Sequence, residues 1–267
     1  MLVRVCSLRS LIAVLPILLV GAGCNVAGFK PTAETGSPSP TVMQTQAQVP
    51  AAQASPPTTA TFTASQRTAG FSSDGRYFMQ LESSRDTGAG IPRAALQIVD
   101  LAENRCVPNG CITTSYGEAD AQVSLTVAEN SLLQKTQALR QSLNLTQPTS
   151  GKVLPLERSQ TSGAGEVVTV QLQGAPMQLR LQQKQTLSPM FGGTAEKDKA
   201  AMELQITHQG KTRSLGSLEQ YQEGVVSYSI REVLLSPDGQ QVAVIITAIR
   251  PTFEGTLATT FIQGFGI

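Results

Sequence analysis

The chain has 267 residues, with 20 Lys and Arg against 19 Asp and Glu, so its net charge is close to zero. Balanced charge offers no basic surface to a phosphate backbone or an anionic bilayer, which removes nucleic acid as an expected partner. Charged residues are only 15% of the total, Trp is absent and one His occurs, His208, a profile common in secreted bacterial proteins.

At the N-terminus, Arg4 and Arg9 precede the apolar run LIAVLPILLV (11–20), and GAGC follows, ending at Cys24. Such a run forms a helix of about 15 Å, half of the roughly 30 Å hydrocarbon thickness, and Pro16 weakens it further. Residues 1–23 therefore read as an export signal and not as a membrane span. Ala22, Gly23 and Cys24 resemble the lipobox of bacterial lipoproteins, in which cleavage precedes a cysteine that carries a diacylglycerol. That resemblance implies lipidation at Cys24 and makes the membrane a partner through the anchor, although Gly21 stands where the motif prefers Leu. The alternative is ordinary signal-peptidase cleavage after Ala22, which leaves a soluble periplasmic protein.

From Asn25 to about Ser65 the only charges are Lys30 and Glu34, and prolines stand at 31, 38, 40, 50, 56 and 57. A stretch without apolar periodicity buries too little surface to offset the entropy of ordering it. Residues 24–65 are thus expected to be a disordered, lipid-anchored tether, and 66–267 a single β-rich domain with length enough for one well-buried core.

The domain opens on FSSDGRYFMQ (71–80), where Asp74-Gly75 reads as a turn leading into a strand at 76–83. ALQIVDL (95–101) is apolar on both faces and belongs in a covered sheet. In NRCVPNGCI, Cys106 and Cys111 flank a four-residue turn, and an exported chain meets an oxidising compartment. A structural disulfide is expected there; the rival is a redox or metal pair, which lacks thioredoxin spacing and neighbouring ligands. Thr126-Val-Ala-Glu129 matches a capping box, and Ala128, Leu132, Thr136, Leu139 and Leu143 follow at helical spacing to about 144. Period-two alternation marks strands at 167–173, 177–183 and 202–208, with turns at the intervening QGAP and at Gln209-Gly210. A second hydroxyl-Asp-Gly turn, Ser236-Pro-Asp238-Gly239, enters QVAVIITAI (241–249), again apolar on both faces. The fold class expected is mainly β (α+β): antiparallel sheets in a sandwich-like arrangement with one prominent amphipathic helix near 126–144. Two such turns so far apart do not make a propeller, which would repeat them every 40 or so residues. They read as strand-entry devices that bring 76–83 and 241–249 into one sheet.

No nucleophile elbow, zinc motif or Walker loop occurs, so no catalytic residue, metal or cofactor is expected. His208 stands alone at a strand end and reads as structural. The Gly-bearing segments 86–93, 162–166 and 191–194 do not follow a strand and open a helix, and read as loops. Asp74 and Asp238 could hold a cation, but the carboxylate of such a turn ordinarily bonds local backbone. A hydrolase or carbohydrate-active enzyme would instead need carboxylates such as Asp74, Glu82, Asp86 and Glu254 to converge in one cleft. The reading preferred is a noncatalytic, membrane-tethered envelope module that binds another envelope protein or a glycan.

FSSDGRYFMQLES, GIPRAALQIVDLAENRCV, the helical SLTVAENSLLQKTQALRQSLN and the closing LSPDGQQVAVIITAIRPTFEG together resemble a bacterial family of uncharacterised predicted secreted proteins. The resemblance covers most of 68–264 and is strongest in the first block and at Phe253-Glu254-Gly255. The Cys106/Cys111 pair and TLATTF, after Gly255, depart from the family pattern. Membership implies export and one exported domain; it implies no activity and carries over no site residue.

Overall fold

A computed structural model describes residues 60–114, 116–159, 165–188 and 198–267. The export signal, Cys24 and most of the expected tether lie outside the described residues, as do 162–164 and 191–194 of the Gly-bearing segments. The described chain starts in a strand, β1 (Ala60–Thr63), inside the stretch whose composition reads as tether. There follow β2 (Ser65–Phe71), β3 (Tyr77–Arg85), β4 (Pro92–Asp100), β5 (Arg105–Cys106) and β6 (Ile112–Thr113). Helices α1 (Leu125–Lys135) and α2 (Gln137–Ser142) come next, then β7 (Lys152–Leu154), β8 (Glu157–Ser159), β9 (Gly165–Leu172) and β10 (Ala175–Thr186). The chain closes with β11 (Lys199–His208), β12 (Lys211–Glu223), β13 (Ser227–Leu235), β14 (Gln241–Thr252) and β15 (Gly255–Gly266).

The strands form three sheets. A central sheet runs β1-β15-β14-β13-β7, an outer sheet β12-β11-β10-β9-β8, and a helix-side sheet β2-β3-β4-β5 with β6 also on β4. Period-two alternation decides what covers what. Val242, Val244 and Ile246 of β14 share a core with Val170 of β9 and Leu179 of β10, whereas Ala243 and Ile245 pack with Phe71, Phe78 and Val99 of the helix-side sheet. On the far side of that sheet, Met79, Leu81, Leu96 and Ile98 bury Ala128 and Leu132 of α1. Helix, sheet, sheet and sheet therefore stack as successive layers. Each fully buried aliphatic side chain contributes roughly 1.5–3 kcal/mol, which explains why β14 is apolar on both faces; β4 is apolar on its helix side, while its other face carries Arg93 and Gln97 beside Ala95 and Val99. The turns expected at Gln173-Gly174 and Gln209-Gly210 are present, all four residues with positive φ.

One expectation is overturned here. Strands 76–83 and 241–249 do not share a sheet: β3 lies in the helix-side sheet and β14 in the central one. What they share is a complete hairpin. β2 and β3 pair Gln66 with Glu82, Thr68 with Leu81 and Phe71 with Phe78; β13 and β14 pair Ile230 with Ile246, Glu232 with Ile245 and Leu235 with Val242. The registers coincide, including a bulge at Arg67 in one and Arg231 in the other. In each turn the Asp accepts from the Ser hydroxyl and from the second residue on: Ser72 and Arg76 bond Asp74, Ser236 and Gln240 bond Asp238. Gly75 and Gly239 have φ of 72° and 74°, the left-handed region that Gly enters without strain. The two hairpins belong to face-packed sheets because each has a second face to cover, and one sheet cannot supply both covers.

The helix departs from expectation at both ends. Its cap is Ser124, whose hydroxyl accepts from the Val127 N–H at 3.2 Å. Thr126 lies inside the first turn, and Glu129 is turned away from it, buried, where it accepts from Ser83 at 2.7 Å and pairs with Arg67 at 2.9 Å. A buried carboxylate gains more from a cation and a hydroxyl than from a backbone N–H that water can reach. At Thr136 the hydroxyl bonds back to the Leu132 carbonyl at 2.8 Å and the helix breaks, so the apolar stripe is carried by α1 and a separate short α2.

Candidate functional site

The site is built where β15 runs short of a strand partner. β1 pairs with it in parallel only from Gly255 to Ala258, and Ala64 adds one more bond to the Ala258 carbonyl at 3.0 Å. Beyond that point the β15 edge would leave its peptide groups buried and unpaired, which costs about as much as a lost hydrogen bond for each group. Side chains of the helix-side sheet take the place of the missing strand. The Thr260 N–H donates to both Glu82 oxygens, at 3.2 and 3.1 Å, and its hydroxyl donates to Glu82 Oε2 at 2.6 Å. Gln80 Nε2 donates to that same hydroxyl, and Gln97 Nε2 donates to the Thr260 carbonyl at 2.7 Å. Further along, the Gly264 N–H donates to Asn104 Oδ1 at 2.7 Å.

This arrangement follows from the pleat. Phe78, Gln80 and Glu82 alternate along β3, so all three face β15, and Gln97 stands opposite Gln80 in the β3–β4 register. Gln80 and Glu82 are buried at 1% and 6% exposure, and they follow Phe78 as the polar part of the β3 face turned to the central sheet. Burial pushes the Glu82 carboxyl above the usual carboxylate range; the hydroxyl and backbone N–H donors of Thr260 and the charges of Arg231 and Arg250 oppose that shift.

Beside Glu82 an open cleft of about 670 Å³ lies between β4 and β6 on one wall and β15 with the end of β14 on the other. Glu82 and Thr260 line it, together with Thr259, Arg250, Tyr116 and an apolar set that includes Ile112 and Leu257. The expected disulfide holds one wall. Cys106 and Cys111 are bonded with Cα atoms 5.8 Å apart, and Cys111 leads directly into β6 and reaches the cleft. The cysteines close the turn Val107–Gly110, so the bond anchors the hairpin that carries β6 against β4.

The four carboxylates singled out from the sequence do not converge. Glu82 lines the cleft; Asp74 is bonded into its own turn. Asp86 accepts from the Ala89 N–H at 3.0 Å, the Gly88 N–H at 3.1 Å and Arg93 at 3.1 Å, and the Ala89 bond leads the group of contacts that hold its carboxyl below the ordinary range. Glu254 is exposed in the β14–β15 turn. His208 ends β11 with its Nδ1 3.4 Å from the Pro176 carbonyl, away from the cleft. Among the described residues, no three His, Cys, Asp or Glu side chains gather as metal ligands, and no helix is long and apolar enough to cross a membrane. Sequence reasoning named Glu82 but missed Gln80, Gln97, Thr260 and Arg250. The available signal was the pair of polar residues at alternate positions in FMQLES.

A family model described as Predicted secreted protein (DUF2259) matches residues 84–262. The chain belongs to this family. The match spans the helices, the outer sheet and the central sheet apart from β1 and the last residues of β15, so export is a property of the family to which this β-rich domain belongs. No curated protein matches the chain. The Glu82 side of the cleft precedes the matched segment, while Gln97, Arg250 and Thr260 fall within it.

Proposed function

We propose that this predicted secreted protein is an exported cell-envelope lipoprotein, held on the membrane by lipid at Cys24, and that its β domain is a noncatalytic module binding another envelope protein or a glycan in the cleft beside Thr260. The observation that carries the binding role is the cleft itself: it is open and of ligand size, and its one carboxyl, Glu82, already accepts three hydrogen bonds from Thr260. A group so engaged supports positioning and binding more than proton transfer. The anchor is supported by the small residues before Cys24 and by the Pro-rich stretch that follows it. A coil of about 40 residues has an r.m.s. reach of roughly 35 Å, which leaves the domain free to reorient at a bilayer.

Two experiments test the two halves of this reading. Palmitate is expected to label the exported chain and to be lost in Cys24→Ala; equal labelling of both forms, or none of either, overturns the anchor. A photo-crosslinking residue in place of Leu257, at the cleft, is expected to capture an envelope component in intact cells, while the same residue in place of Arg213 on β12 captures none. Equal capture from both positions removes the cleft from the function.

A further inference from the structure

We propose that the ligand of the cleft carries a carboxylate and that Arg250 receives it; this rests on the reading of the cleft as a binding site. Three charged side chains line the cleft: Glu82, Arg93 and Arg250. Arg93 is matched, with Nη2 3.1 Å from Asp86 Oδ2. Glu82 is spent on Thr260. Arg250 has neutral partners: Nε donates to the Thr259 hydroxyl at 3.2 Å and Nη1 to the Gly224 carbonyl at 3.4 Å. No carboxylate of the described residues lies within salt-bridge distance of it, whereas Arg67, Arg76 and Arg158 each have one.

Those two bonds orient the guanidinium without neutralising it. They hold one edge of the planar group against the protein, and Nη2 makes no hydrogen bond among the described residues. A planar cation fixed in this way in a partly enclosed site suits a carboxylate, whose two oxygens match the spacing of the guanidinium nitrogens. Charge balance also selects the ligand. Glu82 lines the same cleft, and any negative charge it carries opposes an anion in proportion to that anion's own charge, so a monoanion is disfavoured less than a phosphate dianion. Ile112, Leu257 and Tyr116 supply apolar surface for the rest of the molecule, which gives the site the profile of a pocket for a carboxylate on an apolar or amphipathic body.

The test uses the full mature chain and three probes: benzoate, its neutral counterpart benzamide, and inorganic phosphate. Benzoate is expected to shift the Arg250 Nε–H resonance, with benzamide and phosphate at equal concentration having little effect. Arg250→Gln should weaken benzoate binding by about tenfold, as expected for loss of one charge-assisted contact, with Arg250→Lys intermediate. Glu82→Gln, which removes the competing negative charge while retaining an acceptor for Thr260, should tighten it several-fold. Benzamide binding as well as benzoate, phosphate binding better, or Arg250→Gln binding benzoate unchanged each overturns the proposal. If Arg250→Gln loses its folded circular dichroism, the Lys variant decides, since it keeps the charge and loses the fork. Capture from position 257 without benzoate binding sinks the carboxylate and leaves the binding module standing; loss of both sinks both.

Discussion

The hairpin of β2 and β3 and the hairpin of β13 and β14 share a turn, a bulge position and a pairing register, yet one builds the candidate site and the other builds the core. The difference lies in one face. Val242, Val244 and Ile246 of the second hairpin are apolar and are covered by the outer sheet; at the matching positions the first hairpin has Phe78, Gln80 and Glu82. The bulged arginines have diverged as well. Arg67 reaches Glu129 and Asn130 and ties α1 to the sheet, whereas the Arg231 side chain, also exposed, makes no hydrogen bond or ion pair among the described residues. Turn chemistry therefore defines the hairpin, and the residues at alternate positions of its second strand define what it does. A polar face can be buried only against groups that need it, and the unpaired edge of β15 at Thr260 is such a place.

Exchanging the distinguishing residues should break the two hairpins unequally. Ile246→Glu places a carboxylate in the core between the central and outer sheets with no donor prepared for it, and is expected to cost about 3–5 kcal/mol or to abolish folding. A thermal midpoint near that of the wild type would show that this face tolerates charge and that the comparison is empty. The reverse exchange, Glu82→Ile, leaves the Thr260 N–H and hydroxyl without their acceptor and should cost about 2–3 kcal/mol by denaturant unfolding.

The turns should respond differently although their φ values nearly coincide. A Cβ on Gly75 runs into the Asp238 carboxylate, whereas one on Gly239 meets only Gln173 Nε2, at 3.9 Å. Gly239→Ala should cost about 1 kcal/mol, the penalty of the left-handed conformation alone, and Gly75→Ala about 2 kcal/mol. Equal losses would mean that the two turns do not press on one another in solution.

The smallest effect is in pH dependence. Burial raises Glu82 in the folded chain, so the folded state holds that proton to higher pH than the unfolded state does. Its contribution to stability is complete below the unfolded carboxyl value and is lost as pH rises through the folded value. Asp86, held low by the Ala89 N–H, works in the opposite sense, and its contribution is lost as pH falls through its folded value. Glu82→Gln should remove the first slope and leave the second. A stability profile that keeps its decline toward neutral pH in Glu82→Gln would assign that slope to another group.

Much of the fold is legible in local pattern. Alternation at 167–173, 177–183 and 202–208 locates β9, β10 and β11, because a half-covered strand must separate its apolar and polar residues. The two-sided apolar run 241–249 identifies a strand buried on both faces, and the Cys106/Cys111 spacing identifies a bond across a turn. The helix start was misplaced because Thr126 and Ser124 both satisfy a capping pattern, and only the pull of Arg67 and Ser83 on Glu129 decides between them. The site was legible in a single residue, Glu82, since its partners come from β4, β14 and β15, far away along the chain.

The sequence by itself determined the strand and turn pattern and the disulfide, all set by residues close to one another along the chain. Tertiary structure alone decided that the two like hairpins stack in different sheets instead of pairing. It also decided that the edge of β15 is completed by Gln80, Glu82 and Gln97, and that Arg250 lines the cleft with no carboxylate of the described residues within salt-bridge distance. The physical reason is that a strand's own residues dictate which face must be covered, while the identity of the cover depends on packing every layer of the domain at once.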